Sequence, residues 1–142
     1  VLITHNMGVV ADMAQRVAVM YAGQVMEQQG TRALFAAPQH PYTAALLAAR
    51  PETAAPEGRL ATIAGVVPGL HDRPTGCLFA PRCAWATARC VAERPALLPT
   101  ADSDNAAHAD QAAVRCHYPL GRSNRLARIA DDGGMLRSGV AA

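Results

Sequence analysis

The sequence predicts an α/β unit at the N-terminal side of the chain, followed by a small irregular extension that contains four cysteines. Residues 1–4 form a continuously apolar run, which is typical of a strand inside a parallel sheet that is covered on both faces. Apolar residues then recur at helical spacing directly after His5. All four cysteines lie between residues 77 and 116, in a segment with too few large apolar residues to form a core alone.

The composition of the 142 residues indicates a globular protein, with 51% hydrophobic and 17% charged residues. The net charge is +2 and the basic residues, all arginines, are not concentrated in one run, so we predict no nucleic-acid partner. The sequence has neither an apolar run long enough to cross a bilayer nor the pattern of a signal peptide. We therefore predict a cytoplasmic chain, in which four cysteines favour metal ligation over two disulfides.

The first residues predict the order strand, histidine, helix. Asn6 is expected to cap a helix that runs to about Arg16. In open α/β sheets ligands bind at the carboxyl ends of strands, where an imidazole at His5 could donate a hydrogen bond to a transferring phosphoryl group or orient water. The alternative is a His5 that packs or faces solvent. A buried strand at the first residue further predicts that the chain is a fragment.

Two strand-like runs, residues 17–21 and 24–28, predict a hairpin that turns at Ala22-Gly23. Thr31 is expected to cap a short helix after it.

A further helix is predicted to begin at Pro41, which suits the first helical position. His40 is then expected to be structural, as a cap or a packed residue at the helix start. Beyond this helix, residues 50–58 have the composition of a linker, residues 60–67 that of a strand and residues 68–74 that of a loop.

The cysteine spacing is Cys-x5-Cys-x6-Cys-x25-Cys. Zinc fingers and ribbons use C-x2-C pairs, and this chain has none. Longer and uneven spacings suit an iron–sulfur cluster, which is larger than a single ion. Structural zinc, with His117 able to replace one thiol, paired disulfides and reduced cysteines remain as alternatives. A bound metal or cluster would supply the folding energy that the extension lacks.

The order of these pieces resembles the last part of the ATP-binding subunit of an oligopeptide/dipeptide ABC transporter. The stretches that carry the resemblance are Leu2-Ile3-Thr4-His5, Arg16-Val17-Ala18-Val19-Met20-Tyr21-Ala22-Gly23 and Pro38-Gln39-His40-Pro41-Tyr42-Thr43. The His-Pro-Tyr-Thr stretch and the cysteines beyond it resemble the C-terminal extension of that subfamily. The resemblance extends from residue 1 to about residue 119.

The resemblance implies the C-terminal fragment of a P-loop ABC ATPase domain over residues 1–37 and the transporter extension over residues 38–120. The composition of residues 121–142 predicts a disordered tail. The resemblance assigns His5 to the switch histidine, catalytic and nucleotide-binding, that meets the γ-phosphate. The family usually has Asp after this histidine, whereas the chain has Asn6.

For the extension, the resemblance implies a 4Fe-4S cluster, with zinc as the alternative. The implied ligands are Cys77, Cys83, Cys90 and Cys116. Arg82, Arg89 and Arg115 flank three of these thiolates and are expected to offset the charge of the cluster.

The implied function is ATP hydrolysis coupled to the import of dipeptides or oligopeptides. The implied partners are a second ATP-binding subunit, transmembrane permease subunits and, indirectly, an extracytoplasmic peptide-binding protein, with the protein peripheral on the cytoplasmic face of the membrane. ATP and Mg²⁺ would bind only to the complete subunit, because a chain without Lys has no G-x-x-x-x-G-K-S/T phosphate loop and is expected to be inactive alone. The alternative function is that of a free-standing four-cysteine metal-binding module.

Overall fold

An antiparallel sheet with the strand order β1-β2-β4-β3 connects the beginning of the chain to its later part. The strands are β1 (Arg16–Tyr21), β2 (Gln24–Gly30), β3 (Leu98–Pro99) and β4 (Ala113–Val114). The helices are α1 (Met7–Met13), α2 (Thr31–Ala36), α3 (Pro41–Ala48) and α4 (Ala88–Ala92), with a 3-10 turn at Ala80–Arg82. This structure is a computed structural model, and it describes residues 1–50, 62–100 and 112–120.

The mixture of helix and sheet agrees with the predicted fold class, but all strand pairs within the described residues are antiparallel rather than parallel. No helix in this part of the chain is long and apolar enough to span a membrane.

The predicted hairpin is confirmed. Strands β1 and β2 pair from Arg16 opposite Gly30 to Tyr21 opposite Gln24, with a bulge between Val19 and Met20. Both residues of the turn have positive φ, 46° at Ala22 and 78° at Gly23. This geometry is that of the two-residue turns whose twist matches the strands, and at the second position glycine adopts it without steric cost.

The prediction of a strand at residues 1–4 is wrong in this structure. These residues form no strand, and Val1 and Ile3 are almost fully exposed. A parallel strand is stabilised by hydrogen bonds and burial that neighbouring strands supply, and no described strand pairs with this segment. The cap that follows is confirmed, since Asn6 Oδ1 accepts hydrogen bonds from the amides of Gly8 at 3.0 Å and Val9 at 3.2 Å.

Thr31 does not cap α2 as predicted, because Gly30 occupies the cap position. The Thr31 hydroxyl instead donates a 2.5 Å hydrogen bond to the carbonyl of Ala14, and its amide donates to that of Gln15 at 3.1 Å. These two bonds fix the end of α1 against the β2–α2 junction.

The strand predicted at residues 60–67 is also absent from its described portion, residues 62–67. The Arg82 guanidinium binds this segment instead, donating to the carbonyls of Ile63 at 2.7 Å and Ala64 at 2.8 Å. These two carbonyls thus accept hydrogen bonds from a side chain, and no neighbouring strand is required to satisfy them. Most of the predicted linker and the whole predicted tail, residues 51–58 and 121–142, lie outside the described residues.

Two apolar clusters form the interior of the described residues. The smaller contains Val19, Leu34 and Leu47. The larger joins the hairpin to the cysteine segment, and its buried members are Tyr21, Met26, Cys77, Leu78, Phe79, Ala80, Cys83, Ala86, Cys90 and Tyr118. The cysteine segment therefore completes its core with residues of the hairpin, which the sparse apolar content of the segment alone did not predict.

Aromatic rings form the contact between the hairpin and the cysteine segment. The Phe79 ring centroid lies 5.4 Å from that of Tyr21 and 5.3 Å from that of Tyr42, and the two tyrosine rings are 4.8 Å apart. The two pairs that include Tyr21 are edge-to-face, a geometry that stabilises a core beyond the area it buries.

Candidate functional site: a cavity lined by cysteines

One cavity is lined by all four cysteines of the chain. Its wall consists of His40, Pro41, Cys77, Phe79, Ala80, Cys83, Trp85, Cys90, Cys116, His117 and Tyr118. The fold thus brings together the cysteine-rich stretch, residues 116–118 after β4 and the start of α3.

Backbone hydrogen bonds position the cysteines around this cavity. The amide of Cys77 donates to the carbonyl of Cys90 at 2.8 Å, which joins the beginning and the end of the first cysteine stretch. Thr87 caps α4 through its hydroxyl, which accepts from the Cys90 amide at 3.4 Å. Cys116 is placed by the sheet, because the preceding Arg115 amide donates to the carbonyl of Met26 at 2.7 Å.

The pKa of the buried Cys77 thiol is raised above its ordinary value. Burial is the largest cause that raises its pKa above the ordinary value, and the nearby Cys90 thiol raises it further. Backbone amides and the positive charge of Arg94 lower this pKa in part. A metal that binds here must therefore displace a proton from a buried thiol.

The ready metal centre that the sequence predicted is not supported by the arrangement of side chains. In residues 1–50, 62–100 and 112–120, no three His, Cys, Asp or Glu side chains form a group that could hold a metal ion. All four cysteines are free thiols, and Cys77, Cys83 and Cys90 pack as core residues. Apolar packing in the larger cluster accounts for the positions of these three side chains.

The arginines predicted to offset a cluster charge make other contacts. Arg82 binds the carbonyls of Ile63 and Ala64, Arg115 donates to those of Val25 at 2.9 Å and Pro95 at 3.1 Å, and Arg89 pairs with Glu93 on the surface. The cation whose charge acts on Cys77 is Arg94, which the sequence analysis did not single out. Arg94 is held by the carbonyls of Pro74 and Gly76.

His40 is the N-cap of α3, which confirms the structural role predicted for it. Its Nδ1 accepts a 2.9 Å hydrogen bond from the Tyr42 amide, and the residue is only 1% exposed. His117 also lines the cavity, with Nε2 3.1 Å from the carbonyl oxygen of Glu93.

Glu27 fixes the backbone before α3 and was missed by the sequence analysis. Its buried carboxylate accepts from the amides of Gln39 at 2.7 Å and His40 at 2.9 Å, and from Gln29 Nε2 at 2.8 Å. Burial raises the pKa of Glu27, and these hydrogen bonds together with the Thr43 hydroxyl only partly offset the increase. No local pattern distinguishes Glu27 from a strand residue that faces solvent, because both of its backbone donors, the amides of Gln39 and His40, lie beyond α2.

His5, the predicted catalytic residue, lies elsewhere. It is exposed, it directly precedes the Asn6 cap, and it is not among the residues that line the cysteine cavity. The structure therefore brings the predicted metal ligands together and leaves His5 apart from them.

The comparison with known families agrees with the resemblance that the sequence showed. Residues 26–90 match the family model of the oligopeptide/dipeptide transporter C-terminal region. These residues are therefore similar to that transporter region. The matched range contains Glu27, His40 and three of the four cysteines, whereas His5 and Cys116 lie outside it.

Curated relatives extend the match over most of the chain. The dipeptide transport ATP-binding protein DppD of Escherichia coli is 52% identical over 125 residues, which cover 88% of this chain and 36% of that protein. The Haemophilus influenzae protein of the same name is 46% identical over 120 residues, 84% of this chain and 34% of the relative. A putative peptide import ATP-binding protein of Brucella ovis is 48% identical over 101 residues, 67% of this chain and 30% of the relative.

These findings confirm the resemblance to the C-terminal part of a transporter ATP-binding subunit. The chain spans about a third of the length of the curated relatives it matches. The alternative of a free-standing metal-binding module is not supported, because these relatives are named as transport ATP-binding proteins.

Proposed function

We propose that this chain forms the C-terminal part of the ATP-binding subunit of an ABC importer, in which ATP hydrolysis drives uptake of dipeptides or oligopeptides. The observation that carries the proposal is the 52% identity over 125 residues to a dipeptide transport ATP-binding protein. ATP and Mg²⁺ are the cofactors of the complete subunit. Its partners are a second ATP-binding subunit, the permease subunits and, indirectly, an extracytoplasmic peptide-binding protein, at the cytoplasmic face of the membrane.

Within that subunit, His5 is proposed to contact the γ-phosphate of ATP. Its exposure leaves the ring accessible to a ligand, and the Asn6 cap fixes the backbone that follows it. An imidazole N–H directed at the γ-phosphate would stabilise the charge that spreads over its oxygens during transfer to water.

The test uses a subunit of the relatives' length that carries this sequence, assembled with its permease in membranes. His5→Ala is expected to lower ATP hydrolysis by roughly 10²-fold or more, which is the usual effect of removing a donor to a developing anion, and to lower dipeptide uptake in parallel. His71→Ala, at an exposed loop position, is the matched control and should retain both activities. Unchanged hydrolysis in the His5 variant would contradict the role of His5, and native hydrolysis without dipeptide or oligopeptide uptake would contradict the proposed cargo.

We further propose that the cysteine cavity holds a 4Fe-4S cluster with Cys77, Cys83, Cys90 and Cys116 as ligands. Support comes from the donor set, since all four thiols line one cavity although they come from two distant stretches of the chain. The cysteine spacing, which is long and uneven and includes no C-x2-C pair, favours a larger cluster over zinc. When bound, the cluster would add folding energy to the extension by cross-linking its two stretches.

Anaerobic purification, followed by iron, sulfide and zinc analysis and an absorption spectrum, tests the cluster. The expected result is about four irons per chain, as the composition of the cluster requires. Cys116→Ser, which removes the thiol that follows β4, should reduce the iron content more than the control Thr75→Ser, at an exposed position that does not line the cavity. Stoichiometric zinc without iron would contradict this proposal and leave the ATPase proposal unaffected.

A further inference from the structure

We infer that Thr4 positions the imidazole of His5 for its contact with the γ-phosphate of ATP. The inference rests on the contact proposed above for His5. Thr4 acts through a hydrogen bond that spans His5, in which the amide of Asn6 donates to the Thr4 hydroxyl. Thr4 is therefore a positioning residue, because its side chain binds the backbone that follows His5 and does not itself contact ATP.

The hydrogen bond between Thr4 and Asn6 encloses the backbone of His5. The Asn6 amide donates to Thr4 Oγ1 at 3.0 Å. The ring that this bond closes includes the nitrogen, Cα and carbonyl carbon of His5, so it restricts both backbone dihedrals of that residue. Threonine hydroxyls form local bonds of this kind where the chain turns, and His5 lies at a bend. The direction in which the His5 side chain leaves the backbone is thereby restricted as well.

Asn6 is itself held from the side of α1. Its Oδ1 accepts hydrogen bonds from the amides of Gly8 at 3.0 Å and Val9 at 3.2 Å. Its carbonyl accepts from the amide of Val10, also at 3.2 Å. Together with the bond to Thr4, these contacts engage the amide, the carbonyl and the side-chain oxygen of Asn6. The bond to Thr4 thus connects the bend to a residue that α1 already fixes.

The orientation of the His5 ring depends on this backbone. His5 is exposed, so packing does not hold the ring in one direction. A donor stabilises a developing anion efficiently when it is oriented before the reaction begins. Without the Thr4 hydroxyl, the dihedrals of His5 are less restricted and the imidazole is directed at the phosphate for a smaller fraction of the time. Thr4 is also exposed, so its replacement is expected to change this orientation and leave the fold intact.

The first experiment measures the hydrogen bond in the 142-residue chain without ATP. Amide hydrogen exchange, followed by nuclear magnetic resonance, is compared in the native chain, Thr4→Val, Thr4→Ser and Thr75→Val. Valine keeps the shape of threonine and lacks the acceptor, serine keeps the acceptor, and Thr75 is an exposed position outside the bend. Protection of the Asn6 amide should fall about fivefold in Thr4→Val alone, the factor that one hydrogen bond supplies. Equal protection in the native chain and Thr4→Val would overturn the inference.

The second experiment measures ATP hydrolysis by the subunit of the relatives' length, assembled with its permease. Thr4→Val should lower kcat about fivefold, and Thr4→Ser should restore it to near the native value. The Thr4→Val change is then repeated in His5→Ala. No further loss is expected there, because the imidazole that Thr4 orients is already absent. Thr75→Val should retain native hydrolysis.

The double replacement distinguishes failure of this inference from failure of the proposed function. Losses that multiply when Thr4→Val and His5→Ala are combined would show that Thr4 acts independently of the imidazole, as a purely structural residue would. That result would refute the inference and leave the role of His5 intact. Equal losses of kcat in Thr4→Ser and Thr4→Val would refute it too, because serine retains the hydroxyl. Native hydrolysis in His5→Ala would refute the proposed phosphate contact and this inference together.

Discussion

The buried carboxylate of Glu27 accepts a 2.9 Å hydrogen bond from the backbone amide of His40. Glu27 lies in β2, directly opposite Val114 of β4, and β4 leads to Cys116 two residues later. His40 begins α3 and lines the cysteine cavity. One side chain thus connects the sheet to both the start of α3 and the cavity wall.

Replacing Glu27 with Gln should destabilise the protein by about 1–3 kcal/mol. The carboxylate accepts from both the Gln39 and the His40 amides, and an amide side chain has one oxygen in place of two, so one buried N–H loses its partner. The measurement is the free energy of unfolding in urea. Glu93→Gln is the control, since the side chain of Glu93 forms an exposed pair with Arg89. Equal stability of the two variants would show that Glu27 does not hold the backbone before α3.

The stabilisation that depends on Glu27 should change with pH in a defined direction. Burial raises the pKa of Glu27 above its ordinary value of 4.5, so the folded state binds this proton more tightly than the unfolded state. The free energy that protonated Glu27 contributes to folding is fully present below about pH 4.5. It is lost as the pH rises through the pKa of Glu27 in the folded state.

Urea unfolding of the native chain and of Glu27→Gln across this pH range isolates the contribution of Glu27, because the other carboxyls are common to both proteins. The stability advantage of the native chain should shrink as the pH rises above 4.5. An advantage that grows with pH would mean that the hydrogen bonds outweigh the cost of burying the charge.

Replacing Gly76 with Ala should destabilise the cysteine segment by about 1–3 kcal/mol or more. A Cβ at this position would lie 2.3 Å from the carbonyl oxygen of Val91 and 2.4 Å from that of Cys90. Both are backbone atoms, which cannot move without displacing the hydrogen bond between Cys77 and Cys90. Gly69→Ala is the matched control, because its Cβ would meet Asp72 at an ordinary 3.4 Å. Thermal unfolding measures both, and a Gly76 variant as stable as the Gly69 variant would be inconsistent with this packing.

Replacing Arg82 with Lys should destabilise the protein by about 1–2 kcal/mol although the charge is retained. The guanidinium binds the carbonyls of Ile63 and Ala64 at once and lies over the Tyr21 ring, 5.8 Å from its centroid. An ammonium group has no planar fork with which to make these contacts together. Arg89→Lys serves as the control, because its pair with Glu93 is exposed. Urea unfolding should separate the two variants, and equal losses would contradict a specific role for Arg82.

Short sequence patterns correctly predicted the elements that are stabilised by residues close together in the chain. The Asn6 cap, the Ala22-Gly23 turn and the start of α3 at Pro41 all depend on residues within a few positions of one another, and the structure has each of them. The strands predicted at residues 1–4 and 60–67 depended on neighbours that periodicity cannot identify. Residues 62–67 are bound by the Arg82 side chain instead of a strand.

The sequence by itself determined the resemblance to the transporter family, because the order of the His-Pro-Tyr-Thr stretch and the cysteines is a property of the chain. It also predicted His40 as the start of α3. Only the tertiary structure placed all four cysteines and His40 around one cavity and assigned Glu27 to the amides before α3. The physical reason is distance along the chain: a buried carboxylate and a shared cavity depend on donors and walls from separate segments, which meet only after the sheet has formed.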